Sequence, residues 1–111
     1  MNIDSFNEKR TQLNDLMQQE DDFFGQFGSL DTVVYAEGVI PKKYKELTGL
    51  AISVCARCDE CILYHIQGSL KENASKEECI EAIKIGVVGG GSVTYPSARY
   101  AFRLLQEFGL L

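Results

Sequence analysis

The sequence predicts an all-α, single-domain bundle of about six helices, oligomeric in its working form, and three observations carry that prediction. No stretch alternates apolar and polar residues as a half-buried strand does. Proline occurs only at Pro41 and Pro96. Apolar residues recur at helical spacing along nearly the whole chain. The 111 residues suffice for one domain around one core, so the domain is expected to span 1–111.

Taken in order, Asp4 or Ser5 can cap a first helix whose apolar face holds Phe6, Leu13, Leu16 and Met17. Gly25 and Gly28 are expected to interrupt it. The segment "SLDTVVYAEG" follows, and Val33 and Val34 make it the one place that tempts a strand reading. Pro41 suits the first turn of "PKKYKELTGLAISVCARC". From Leu47 to Ala56 that helix is apolar almost all round, which predicts central burial. In "DECILYHIQGSLKENA", Asp59 and Glu60 fall in the first turn, where the helix dipole favours them. Ile62, Leu63, Ile66 and Leu70 form its buried stripe. Ser75 and Glu78 make a capping box for the next helix, with Ile80, Ile83 and Val87 on one face and Gly89, Gly90 and Gly91 at its end. A last helix runs from about Pro96 to Phe108. Several helices are more apolar than a small monomer can cover, which points to self-association.

Composition narrows the function. Hydrophobic residues make up 45% and charged residues 24%, as in an ordinary globular chain. A net charge of −5 argues against a general nucleic-acid surface, which needs clustered Lys and Arg. No stretch approaches a membrane span, no polybasic segment suits anionic lipid, and the N-terminus lacks the apolar core of a secretory signal. The expected location is the cytoplasm. Thiols are kept reduced there, and closely spaced cysteines more often mean redox or metal chemistry than a structural staple.

"CARCDECILYH" holds three of the four cysteines and the only histidine. Three readings compete. Cys55, Cys58, Cys61 and His65 could be metal ligands in a binding or sensing module. However, structural zinc usually takes two separated ligand pairs, and ferredoxin-type runs sit in loops. Cys58 and Cys61 could be a redox C-x-x-C pair at a helix start. There the partial positive charge of unpaired N–H groups favours the thiolate, and His65, four residues on, can take the thiol proton. Asp59 and Glu60 oppose a very low pKa. Finally, all could be core: cysteine is among the most buried residue types. Cys55 and Cys79 read as core. The pair with a histidine at helical spacing is what lifts the redox reading. "GVVGGG" follows a helix and opens no nucleotide pattern, so it reads as helix termination and close packing.

At this point the sequence resembles the carboxymuconolactone decarboxylase-like superfamily, and within it the alkylhydroperoxidase D branch. That branch carries a Glu, eleven residues, then C-x2-C-x3-H, and Glu46, Cys58, Cys61 and His65 have that spacing. The motif-bearing core covers about residues 40–105. The resemblance implies an all-α homotrimer or homohexamer. It implies thiol-dependent reduction of a peroxide or disulfide substrate, with Cys58 and Cys61 cycling between dithiol and disulfide and with Glu46 and His65 as proton relay. An external dithiol or thiol-redox protein would be the reductant, and no bound cofactor is required. The superfamily's lactone decarboxylases generally lack the cysteine pair, so a lyase is the less favoured alternative. Cys61, one turn from His65, is the expected base-assisted thiol and Cys58 the resolving one; the reverse order stays open. In a straight helix Glu46 and Cys58 would lie about 18 Å apart. Glu46 can therefore join the site only if the chain folds back near Arg57 or another subunit supplies it.

Overall fold

The computed structural model describes residues 1–111, which are all-helical and fall into two compact units, Met1–Ala36 and Glu37–Leu111. The first unit is a hairpin of α1 (Ile3–Glu20) and α2 (Asp22–Tyr35). Asn2, not Asp4 or Ser5, caps α1: its side-chain oxygen accepts the Ser5 N–H at 2.9 Å. The break falls at Asp21, whose carboxylate accepts the Phe23 N–H at 2.9 Å and so starts α2. Gly25 and Gly28 therefore lie inside α2, and Val33 and Val34 are helical. The strand reading is overturned because a capped helix already satisfies the backbone there. Neither helix buries a single residue, and Phe23, Phe27, Leu30 and Val33 are each more than half exposed.

The second unit carries the core. α3 (Lys42–Cys55) packs against α4 (Asp59–Lys71) and α5 (Lys76–Gly90). A short 3-10 turn over Ser92–Thr94 leads into α6 (Tyr95–Glu107), which packs on α4 and α5. Leu50, Val54, Ile62, Leu63, Ile66, Cys79, Ile83, Leu104 and Leu105 fill the centre. Each large side chain removed from water there contributes about 1.5–3 kcal/mol before chain entropy is set against it. α3 and α5 approach closely because Gly86 lacks a side chain: a Cβ there would lie 2.6 Å from the Ala51 carbonyl oxygen. The Ser75–Glu78 capping box is present as read from sequence. Lys43 pairs with Glu78 at 3.0 Å and ties the start of α3 to that of α5. The Ser75 backbone N–H, and then Lys43, hold the Glu78 carboxyl below its usual range.

Two expectations about α3 need correction. Only one side of the helix is covered within the chain: Thr48, Ile52 and Cys55 form an outward stripe, with Ile52 60% exposed. Cys55 is an exposed free thiol and not core. Cys79 is core, as expected: it is fully buried, and burial, aided by the charge of Glu78, pushes its thiol up to about 11.

The turn between α3 and α4 sets the site. Arg57 adopts φ 58°, the Arg57 N–H donates to the Val54 carbonyl, and the Cys58 N–H donates to the Ser53 carbonyl, both at 3.0 Å. This is a left-handed helix stop of the Schellman type, usually built on glycine. The same pattern closes α4 at Asn73 and α6 at Gly109. An arginine in the left-handed region is strained. Arg57→Gly is therefore expected to raise stability by about 0.5–1 kcal/mol, with the larger chain entropy of unfolded glycine holding the gain down. Chemical denaturation measures it; a loss of stability would contradict the strain argument.

Candidate active site

The reversal at Arg57 runs α4 back along α3. It brings together two residues nineteen apart in sequence: His65 Nδ1 lies 3.0 Å from Glu46 Oε2. Glu46 thus meets His65 within one chain, while α3 itself stays unbroken from Lys42 to Cys55. Glu46 is 3% exposed and the His65 side chain 12%. A buried carboxylate is costly unless its oxygens are paired. Here both are: Oε2 faces His65, and Oε1 accepts from Lys42 Nζ at 3.0 Å. The Lys42 side chain remains 36% exposed. Partial burial works to lower the Lys42 pKa, but the hydrogen bond and the charge of Glu46 outweigh it and the net direction is upward.

Two glycines make room for this contact. Gly49 stands three residues after Glu46 on α3, and a Cβ there would lie 2.6 Å from His65 Nδ1 and Cε1. Gly68 stands three residues after His65 on α4, and its Cβ would collide with the Glu46 carboxylate. Each helix thus offers a gap to the polar side chain of the other. Lys42, Gly49 and Gly68 were missed in sequence. The available signal was two glycines inside strong helices, where they cost helix stability and usually have a packing reason.

Cys58 and Cys61 are joined as a disulfide, with Cα atoms 5.2 Å apart. Cys58 is the N-cap of α4, and its sulfur accepts the Cys61 N–H at 3.3 Å. Both are partly buried, and Cys61 precedes His65 by one helical turn. Tyr64 sets its ring edge-on to that of His65, with centroids 5.2 Å apart. No three His, Cys, Asp or Glu side chains gather where they could hold a metal ion, so the metal reading of Cys55, Cys58, Cys61 and His65 has no geometry behind it. The glycine run closes α5 as expected, with Gly91 as C-cap at φ 81°. No helix is long and apolar enough to cross a membrane.

Fold and site together define an all-α protein with a C-x-x-C disulfide at a helix start and a buried Glu46–His65 contact on the same helix pair. The chain belongs to the carboxymuconolactone decarboxylase family, whose sequence profile it matches over residues 21–107. Two crystal structures of one Thermotoga maritima protein superpose on it. The first has TM-score 0.90 and 40% identity, covering 94% of this chain and 92% of that one. The second has TM-score 0.82 and 37% identity, covering 96% and 97%. That Thermotoga protein is described as a member of the same family for which involvement in the antioxidative response has been suggested. A Legionella pneumophila family member follows at TM-score 0.81 and 30% identity, covering 92% and 91%. An uncharacterized Cupriavidus necator protein is 35% identical over 68% of this chain, a match spanning 64% of its own length. An uncharacterized protein of the cox locus of Paracoccus denitrificans is 32% identical, over 73% of each chain.

Proposed function

We propose that this protein is a thiol-dependent oxidoreductase of the alkylhydroperoxidase kind, reducing a peroxide or a disulfide through Cys58 and Cys61. The observation that carries the reading is the placement of a buried, paired Glu46–His65 couple on the same helix pair as a C-x-x-C disulfide. In the peroxide reaction a cysteine thiolate attacks the O–O bond. The sulfur becomes a sulfenic acid and the peroxide leaves as alcohol, or as water, taking up one proton. The second thiol displaces water from the sulfenic acid and forms the disulfide. An external dithiol or thiol-redox protein returns two electrons and two protons by exchange and leaves as its own disulfide.

The two cysteines have different means of activation. Cys61 has His65 one turn away as a base, while Cys58 has the Cys61 N–H and the helix start to favour a thiolate. We assign the attack to Cys61 and the resolving role to Cys58, the reverse order being the competing assignment. Assembly as a homotrimer or homohexamer belongs to the same proposal. It is supported by the hairpin α1–α2, which buries nothing by itself, and by the uncovered stripe at Ile52. A cytoplasmic location completes it.

The test is peroxide consumption with several dithiol donors, on wild type, Cys58→Ser and Cys61→Ser. Turnover should depend on both cysteines, and the single variant that still forms a sulfenic acid holds the attacking thiol. Undiminished turnover in both variants would remove the reading. Lactone decarboxylation that survives both substitutions would replace it with the lyase alternative.

A further inference from the structure

We propose that Lys42 is a positioning residue of this site: by holding Glu46 as a carboxylate, it keeps the His65 proton on Nδ1 and so leaves the lone pair on Nε2, which acts as the base. The geometry is a line of three groups. The Lys42 ammonium donates to Oε1 of Glu46 at 3.0 Å, and Oε2 of the same carboxylate faces His65 Nδ1 at 3.0 Å. An ionised carboxylate can only accept hydrogen bonds, so the Nδ1 opposite it must be the donor. A neutral imidazole with its proton on Nδ1 has its lone pair on Nε2.

The charges around the line fit that role. Glu46 is faced by Lys42 from its own helix and by His65 from α4, with the Gly68 gap alongside. Lys42 in turn feels Glu46, Glu72 and Tyr64, and its backbone N–H donates to the Glu37 carboxylate at 2.7 Å. With Lys42 present the group of three carries one positive and one negative charge and a neutral ring, with the carboxylate and the ring buried and the ammonium at the edge. Without it the remaining pair would carry a net negative charge away from water, which favours taking up one more proton. That proton has two homes. It can sit on Glu46, which then donates to Nδ1 and sends the ring proton to Nε2. Alternatively it can sit on the ring, giving an imidazolium beside a carboxylate. In both arrangements Nε2 is protonated and no longer a base.

The consequence for the cysteines rests on the thiol-oxidoreductase reading; the protonation of His65 does not, and the two are measured separately. The chain has one histidine, so its ring nitrogens are the only imidazole signals in a nitrogen-15 spectrum. In the wild-type protein at pH 7, Nδ1 should carry the proton and Nε2 should be bare. Lys42→Met and Lys42→Gln should show a protonated Nε2, and Lys42→Arg should restore the wild-type pattern. In reduced protein, alkylation of the reactive cysteine should slow about ten-fold or more at pH 7 in the Met and Gln variants, with its pH profile moved to higher pH. Restoration by arginine separates a charge effect from loss of packing. A protonated Nε2 in wild type, or an unchanged ring in Lys42→Met, would overturn the proposal, and the wild-type spectrum needs no variant to fold. A ring that responds as expected beside unchanged alkylation would uphold the role of Lys42 and count against the relay to the cysteines.

Discussion

Replacing His65 by asparagine is expected to slow alkylation of reduced Cys61 by about a hundred-fold near neutral pH, because acid–base assistance of that size is lost with the imidazole. The fold should persist. Loss of a satisfied, nearly buried ring lowers stability by about 1–3 kcal/mol, which a packed core of this kind can absorb. The two effects read on different measurements. If His65 merely packs, the melting temperature falls and reactivity per folded molecule stays. If it is the base, reactivity falls at every pH where the neutral ring would have taken the proton. Asp59 and Glu60, in the first turn of α4, sharpen the contrast. Their charges disfavour a thiolate, so the helix start alone should not hold Cys61 reactive. Glu46→Gln should follow the same direction, since a neutral amide opposite Nδ1 no longer requires the ring proton to be there.

A methyl group at position 68 should be nearly as damaging, although it touches neither cysteine. Gly→Ala inside a helix normally stabilises by about 1 kcal/mol. At Gly68 the new methyl would collide with the Glu46 carboxylate, and at Gly49 it would lie 2.6 Å from the His65 ring. Neither neighbour can swing aside freely, because Glu46 is buried and held at both oxygens and His65 is held against it. Overpacking there should cost about 1–3 kcal/mol, reversing the usual sign. It should also part Glu46 from His65 and lower thiol reactivity by about ten-fold or more. The cause can be isolated with a double-mutant cycle: Gly68→Ala made in a Glu46→Ala background should stabilise rather than destabilise. A Gly68→Ala protein that is more stable and equally reactive with Glu46 in place would show that the gap has no function.

Much of this was legible in the sequence, and the reason differs from residue to residue. Helices with strong local punctuation were read well: the Ser75–Glu78 box and the terminal glycines of α5 lie where their chemistry puts them. The C-x-x-C pair at a helix start was visible because cap position and periodicity agree there. The N-terminal hairpin departs from the sequence expectation because an aspartate cap at Asp21, not a glycine, divides it. Cys55 lies outside the core, against the sequence expectation, because α3 is apolar on faces that the chain itself leaves uncovered. The meeting of Glu46 and His65 depends on the fold-back near Arg57 that the sequence required, while the left-handed arginine that makes it has no sequence signature. Lys42 follows from that meeting, while Gly49 and Gly68, two glycines inside strong helices, signal close packing in sequence but not which side chains it admits.

The most direct test of the central claim is a single turnover. Fully reduced protein is mixed with one equivalent of peroxide, and the cysteines are mapped as the reaction proceeds. The account predicts loss of two thiols per chain into a Cys58–Cys61 bridge, with Cys79 left free, at a rate lowered about a hundred-fold in His65→Asn. A bridge that forms no faster than in the variant, or a dominant product involving Cys79, would contradict it.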